Sequence, residues 1–238
     1  NLARHLYRAY DGVRLPVFTD RHFTPEQFHL VVDSIVSRSS KLFSITGVGT
    51  SFEGRPIRLI TVGHGKTPVL LWSQMHGDES TATMALADIL NYIERDQREQ
   101  NVSQLLSMLT LYLVPMLNPD GASRTQRRTA QNIDMNRDAL ALVTPEARIL
   151  KQIRDDVRPE FGFNLHDQEL STIGSSRELS AIALLAPAFD YEKSNNAVRS
   201  KAKLVAATFA DILQQFIMGK VSRYDDSFEP RAFGDNMQ

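Results

Sequence analysis

The chain has 238 residues, 42% of them hydrophobic and 23% charged, with a net charge of −1 and no cysteine. This length can bury a sizeable core, and the near-neutral balance gives no basic field for nucleic acid or an anionic membrane. Without cysteine there are no disulfides, thiol nucleophiles or thiolate metal sites, so any metal must be held by His, Asp or Glu.

No apolar run approaches the roughly 18 residues of a membrane span. No signal-peptide pattern follows Asn1, so the chain is read as processed or cut. There is no internal repeat, low-complexity tract or Gly/Ser linker, which favours a single domain. Thr24-Pro25-Glu26 has the form of an N-cap with proline in the first turn, opening a helix that carries Phe28, Val31, Val32, Ile35 and Val36 on one side. Leu42–Gly49 and Ile57–Gly63 are β-rich runs around Phe52-Glu53-Gly54-Arg55-Pro56, which reads as a hairpin.

Pro68–Trp72 (PVLLW) is a short, wholly apolar run, as expected of a strand covered on both faces. QMHGDES follows it, and then Thr81–Ile93 with the helical spacing Met84, Leu86, Ile89, Leu90, Ile93. Leu109–Val114 is a second covered strand, closed by Pro115 and by the turn Asn118-Pro119-Asp120-Gly121. Thr144-Pro145-Glu146 opens a helix to about Val157, and Phe161–Leu165 is a third strand ending at His166. Ser180–Leu185 reads as a fourth strand and Asn195–Met218 as a long amphipathic helix. Alternating strands and helices predict an α/β fold, with helices flanking a mixed, mostly parallel twisted sheet.

In open α/β sheets ligands gather beyond the carboxyl ends of strands. Three polar clusters fall there: His76 to Glu79, Asn118 to Arg137, and His166. A lone histidine at such a place carries little, and His5, His22, His29 and His64 lie outside every motif. Two histidines and a carboxylate at two strand ends suit zinc and leave a coordination position open, as catalytic zinc requires. Asn118–Gly121 is a good turn whatever the function, and Arg124, Arg127 and Arg128 in a charged loop would ordinarily form a solvated face. No His-Glu-x-x-His helix is present.

From about Arg55 onward the sequence resembles the zinc carboxypeptidases of the M14, carboxypeptidase A-like family. The resemblance rests on MHGDE, NPDG, the run Ile133–Arg137 (IDMNR) and NLHDQ at Asn164–Gln168, in this order. It implies a metallocarboxypeptidase that binds one Zn²⁺ per chain and removes the C-terminal residue of peptides bearing a free carboxylate. Residues 41–238 would form the catalytic part, and residues 1–40 a helical segment packed on it.

By the same resemblance His76, Glu79 and His166 are the zinc ligands, and Asp134 accepts the free ring N–H of His76. Asn136 and Arg137 grip the substrate carboxylate. Arg127, or else Arg128, stabilises the oxyanion, and Tyr224 corresponds to the mobile active-site tyrosine. The family's general base is a glutamate on a late strand. Phe228–Gln238 resembles the loop before that strand, so the natural protein is expected to continue past Gln238 through a β-rich run carrying this glutamate and then a helix. Glu169 and Glu229 are poorer candidates, because both lie in loops. Two alternatives stay open: an aspartoacylase-like N-acyl amino acid amidohydrolase, and a metal-binding pseudoenzyme if the gene stops at Gln238.

Overall fold

A computed structural model of the chain describes residues 2–18, 20–168, 173, 176–224 and 227–236. It opens with two helices, α1 (Leu2–Val13) and α2 (Pro25–Arg38). The second starts where the sequence signals it. Thr24 Oγ1 accepts from Gln27 N at 3.2 Å, and Gln27 Oε1 accepts from Thr24 N at 2.8 Å, satisfying two backbone donors reciprocally.

Strands β1 (Phe43–Thr50) and β2 (Pro56–Gly63) form the expected hairpin, with a register shift between Gly47 and Gly49. Then come β3 (Thr67–Ser73), α3 (Thr81–Arg95), α4 (Gln100–Met108), β4 (Leu109–Val114) and the single turn α5 (Pro119–Ala122). A 3-10 turn, Met135–Arg137, precedes α6 (Pro145–Val157) and β5 (Phe161–Leu165). The chain closes with β6 (Ile182–Leu184), α7 (Ala197–Leu213), β7 (Val221–Arg223) and α8 (Phe233–Asn236).

The main sheet has the order β1-β2-β4-β3-β5. The β1/β2 and β2/β4 pairs are antiparallel, whereas β4/β3 and β3/β5 are parallel, so the sheet is mixed as expected. The central strand β3 alternates its side chains between two cores. Val69 and Leu71 face a cluster with Phe28, Val32 and Ile35 of α2 and Leu86, Leu90 and Ile93 of α3. Leu70 and Trp72 face a second cluster with Ala147, Leu150 and Ile153 of α6, together with Met135 and Phe233. Helices on both faces are why this strand carries no polar residue between Pro68 and Trp72. Burying a Leu-sized side chain this way contributes about 1.5–3 kcal/mol each.

Three elements depart from the sequence reading. The fourth strand is only Ile182–Leu184, and it pairs in parallel with β7 in a separate two-stranded sheet. The long helix starts at Ala197, because Asn196 Oδ1 accepts from Arg199 N at 2.7 Å and caps it. It ends at Leu213, beyond which the hydrogen bonds Phe216 N to Leu213 O and Lys220 N to Ile217 O tighten into successive turns. Helix α4 carries no side-chain cap to announce it. Among the described residues no helix is long and apolar enough to cross a membrane.

Candidate metal centre

The site lies beyond the carboxyl ends of β3, β4 and β5. Where β3 ends, Gln74 takes φ = 52°, a left-handed conformation that a side chain rarely adopts. Its amide Nε2 donates to Gly77 O at 2.8 Å. The chain thus turns sharply and presents His76 and Glu79 inward, 2% and 9% exposed.

The loop after β4 locks against this turn. Leu117 N donates to Ser73 O and Asn118 N to Gln74 O, both at 3.0 Å. Asn118 Nδ2 donates to Met75 O at 3.2 Å, while its Oδ1 accepts from Gly121 N at 2.9 Å. A Cβ on Gly77 would stand 2.1 Å from the carbonyl carbon of Gly121, so the two loops meet backbone to backbone. The NPDG turn is therefore the piece that sets the height of the MHGDE loop. The other half of that turn faces away from the site. Asp120 is fully buried and accepts from Ser51 Oγ (2.7 Å), Glu53 N (2.9 Å) and Arg55 Nη1 (2.7 Å) of the β1–β2 hairpin.

At the centre, Glu79 joins both histidines. Its Oε1 is 2.7 Å from His76 Nδ1, and its Oε2 is 2.6 Å from His166 Nδ1. The ligand atoms of His76, Glu79 and His166 all fall within 4.8 Å of one another, and the two imidazole centroids are 4.8 Å apart. His76 Nε2 lies 3.1 Å from Asp134 Oδ1. Burial pushes the Glu79 carboxyl up, but the hydrogen bonds to His166 and His76 outweigh it and hold it down at about 2. Asp134 is lowered too. Burial opposes this, but the His76 hydrogen bond and the Arg127 charge prevail. Burial disfavours charge on His76, yet its bonds to Asp134 and Glu79 win and raise it.

Arg127 closes the rim. Its Nε and Nη2 donate to Asp134 Oδ2 at 3.2 and 3.1 Å, and its Nη1 lies 3.1 Å from His76 Nδ1 and 3.3 Å from Glu79 Oε1. Arg128 turns elsewhere, donating to Asn132 O at 3.1 Å. Asn136 Oδ1 accepts from Phe233 N at 3.1 Å. Arg137 donates to Asn136 O at 2.7 Å and has Nε 3.7 Å from Glu229 Oε2. Glu229 is itself held by Arg231, through Nε at 2.8 Å and Nη2 at 2.6 Å.

Tyr224 is not drawn into the bonds that join the trio, Asp134 and Arg127. Its N donates to Leu184 O at 3.0 Å, and the residue, 43% exposed, borders a cavity of about 390 Å³ between α7 and the β6–β7 pair. Glu169 lies outside the described residues. The sequence reading missed Asp167, whose N donates to Glu79 Oε2 at 3.2 Å and whose carboxylate accepts from Thr81 Oγ1 at 2.9 Å. Nothing marks that aspartate in the sequence except its place beside His166.

A histidine–glutamate–histidine set at the carboxyl ends of strands, in a helix-covered mixed sheet, suits a catalytic metal that keeps one position open. The family model for zinc carboxypeptidase, peptidase M14, matches residues 29–175, and the chain belongs to that family. It is 24% identical to carboxypeptidase SOL1 of Arabidopsis thaliana over 182 residues, 69% of this chain and 37% of that protein. It is 31% identical to carboxypeptidase D of Drosophila melanogaster over 111 residues, 38% of this chain and 8% of that one.

Two solved structures share the fold. A metallo-carboxypeptidase from Burkholderia cenocepacia superposes with a TM-score of 0.72 at 17% identity, over 91% of this chain and 57% of that one. Carboxypeptidase A from Helicoverpa armigera gives 0.72 at 16% identity, over 99% and 67%. The chain thus spans well under two thirds of the curated relatives it matches.

Proposed function

We propose that His76, Glu79 and His166 bind one zinc ion per chain, and that the whole protein removes the C-terminal residue of peptides with a free terminal carboxylate. The observation that carries this is the convergence of two imidazole Nδ1 atoms on the two oxygens of one carboxylate. The donors fit the metal. Glu79 stays ionised, both ring nitrogens face inward, and the set is purely nitrogen and oxygen.

Zinc held there supplies Lewis-acid polarisation of a peptide carbonyl and lowers the pKa of a water molecule. The remaining work belongs to the chain. Asp134 accepts a hydrogen bond from the Nε2–H of His76, which fixes the tautomer and leaves Nδ1 as the electron-pair donor. Arg127 offers N–H groups at the edge of the trio, where negative charge grows on the scissile carbonyl oxygen. The amide oxygen of Asn136 is occupied by Phe233, so its NH₂ group is what it offers to a substrate carboxylate. The Arg137 guanidinium beside it matches a carboxylate with two parallel hydrogen bonds. Glu229 faces that guanidinium here, and the substrate carboxylate takes its place. Tyr224 would join this clamp only by moving. The comparisons give no support to the aspartoacylase-like reading.

The test has two parts. Metal analysis of His166→Ala should show most of the zinc lost, and full retention would remove the site. The protein should cleave peptides with a free C-terminus and spare their C-terminally amidated counterparts. Equal cleavage of the two would overturn the exopeptidase reading.

A further inference from the structure

Two loops that carry the trio are far apart in sequence, and the ladder that aligns their strands stops short of them. The last β3–β5 pair is Ser73 with Leu165. Beyond it, the loops meet where His166 Nδ1 reaches Glu79 Oε2, and the further bonds between them are made by Asp167. Its N reaches Glu79 Oε2 at 3.2 Å, and its Oδ2 accepts from Thr81 Oγ1 at 2.9 Å, at the first turn of α3. Asp167 thus ties the His166 loop to Glu79 through its backbone and to the start of α3 through its carboxylate, whose charge needs a partner.

The opposing charge comes from the segment between α1 and α2. The Arg21 guanidinium pairs with Asp167 Oδ2, and its Nη2 also donates to Asp78 O at 3.3 Å. The main chain of the same residue acts as well. Arg21 O accepts from Ser80 Oγ at 2.7 Å, and Ser80, at the N-cap position of α3, makes no side-chain cap to its own helix. One residue therefore grips the Asp78–Ser80 stretch with both its side chain and its backbone, and the His166 loop through Asp167. Arg21 lies outside residues 29–175, the part of the chain that the family model describes.

We infer that Arg21 is a positioning residue for the metal centre, setting the distance between His166 and the His76–Glu79 pair without touching metal or substrate. The N-terminal helical segment then serves as a brace on the ligand loops. This inference rests on the metal reading above. Its bland rival is an ordinary surface ion pair, since the Arg21 side chain is 55% exposed. Such a pair would shift stability slightly and leave the ligands where they are.

The experiment compares the parent with Arg21→Met and Arg21→Lys in zinc affinity, measured by chelator competition, and in the visible absorption of the cobalt-substituted protein. Changes to groups that orient metal ligands typically cost about 10–100-fold in affinity. Arg21 acts one bond further out and is partly exposed, so a weakening of roughly fivefold to tenfold is expected for Arg21→Met. The cobalt spectrum should be altered, and Arg21→Lys should recover most of the loss. Because the side chain sits on an exposed loop, folding is checked by the unfolding midpoint of each metal-free variant, which should stay near the parent value. A zinc-binding parent whose Arg21→Met variant keeps the same affinity and the same cobalt spectrum overturns this inference alone. A parent that binds no zinc overturns the metal reading and this inference with it.

Discussion

Gly77 gives the sharpest test of how the site is built. An added Cβ there would lie 2.1 Å from Gly121 C, 2.3 Å from Ala122 N and 2.5 Å from Gly121 Cα, all backbone atoms with no rotamer to yield. Ordinary carbon contacts are about 3.5–4.0 Å, so Gly77→Ala must part the two loops by more than about 1 Å. His76 and Glu79 flank the forced position, and Asn118 and Arg127 stand on the other side of the seam. Overpacking typically costs about 1–3 kcal/mol, and a backbone-to-backbone clash belongs at the top of that range. About 3 kcal/mol corresponds to a fall in Tm of roughly 6–12 °C for a chain of this size. A ligand displacement near 1 Å should also cost on the order of 100-fold in turnover and about 10–100-fold in zinc affinity. Gly54→Ala is the control. Unlike Gly77 it has a positive φ, 84°, but its Cβ would meet nothing within 4 Å, and it lies at the hairpin tip. It should lose about 1 kcal/mol from the unfavourable φ alone and keep its zinc. Thermal unfolding and chelator competition on both variants decide the matter. If Gly77→Ala bound zinc as tightly as Gly54→Ala, the reasoning about the seam would be wrong.

Arg137→Ala should lose a charge-assisted contact of about 1.5–3 kcal/mol, which is roughly a tenfold to hundredfold loss in kcat/KM; steady-state kinetics on amidated peptides should show no difference between variant and parent. Asp120→Ala strands Ser51 Oγ and Glu53 N and leaves Arg55 with Glu53 alone, and should cost about 3 kcal/mol, read as a fall in Tm with the Ser51–Arg55 amides exchanging faster. Burial raises the pKa of the fully buried Glu146, although its own backbone and Phe52 N oppose the shift. The folded state thus holds this proton to higher pH than the unfolded state. That contribution to stability is complete below the ordinary glutamate range and is lost as pH rises through the folded pKa. Glu146→Gln, which keeps an acceptor for Phe52 N at 3.1 Å, should therefore gain Tm relative to the parent at pH 7.5 and not at pH 4. A difference that did not change with pH would refute this.

What could be read in the sequence depended on how local the cause was. The strands β3 and β4 carry buried side chains, so their composition alone marks them, whereas β5 is a partly buried strand at the end of the sheet order, marked by Phe161, Phe163 and Leu165. The helices α2 and α6 are announced by threonines that cap them, Thr24 and Thr144. Helix α4 has no such signal, because Glu99 makes no side-chain cap and only Val102, Leu105, Leu106 and Met108 give it an apolar side. The long helix was read too far because Phe216, Ile217 and Met218 continue its apolar pattern while the backbone has already turned. Pattern reports which side chains want burial, not which carbonyl accepts each N–H.

The same distinction holds at the site. Strand ends placed His76, Glu79 and His166 near one another, since a parallel sheet delivers its carboxyl ends to one edge. The residues that fix their spacing answer to no such rule. Asn118 and Asp120 sit two apart in one turn, yet one bonds to the main chain of the metal loop and the other carries the hairpin. Read as a turn signal, the motif accounts for neither bond. Each is a contact between segments 43 and 69 residues apart, and only the folded chain makes it. A single substitution in that turn should therefore separate the two roles. Asn118→Ala should loosen zinc while the hairpin stays closed, and Asp120→Ala should open the hairpin before it costs the metal.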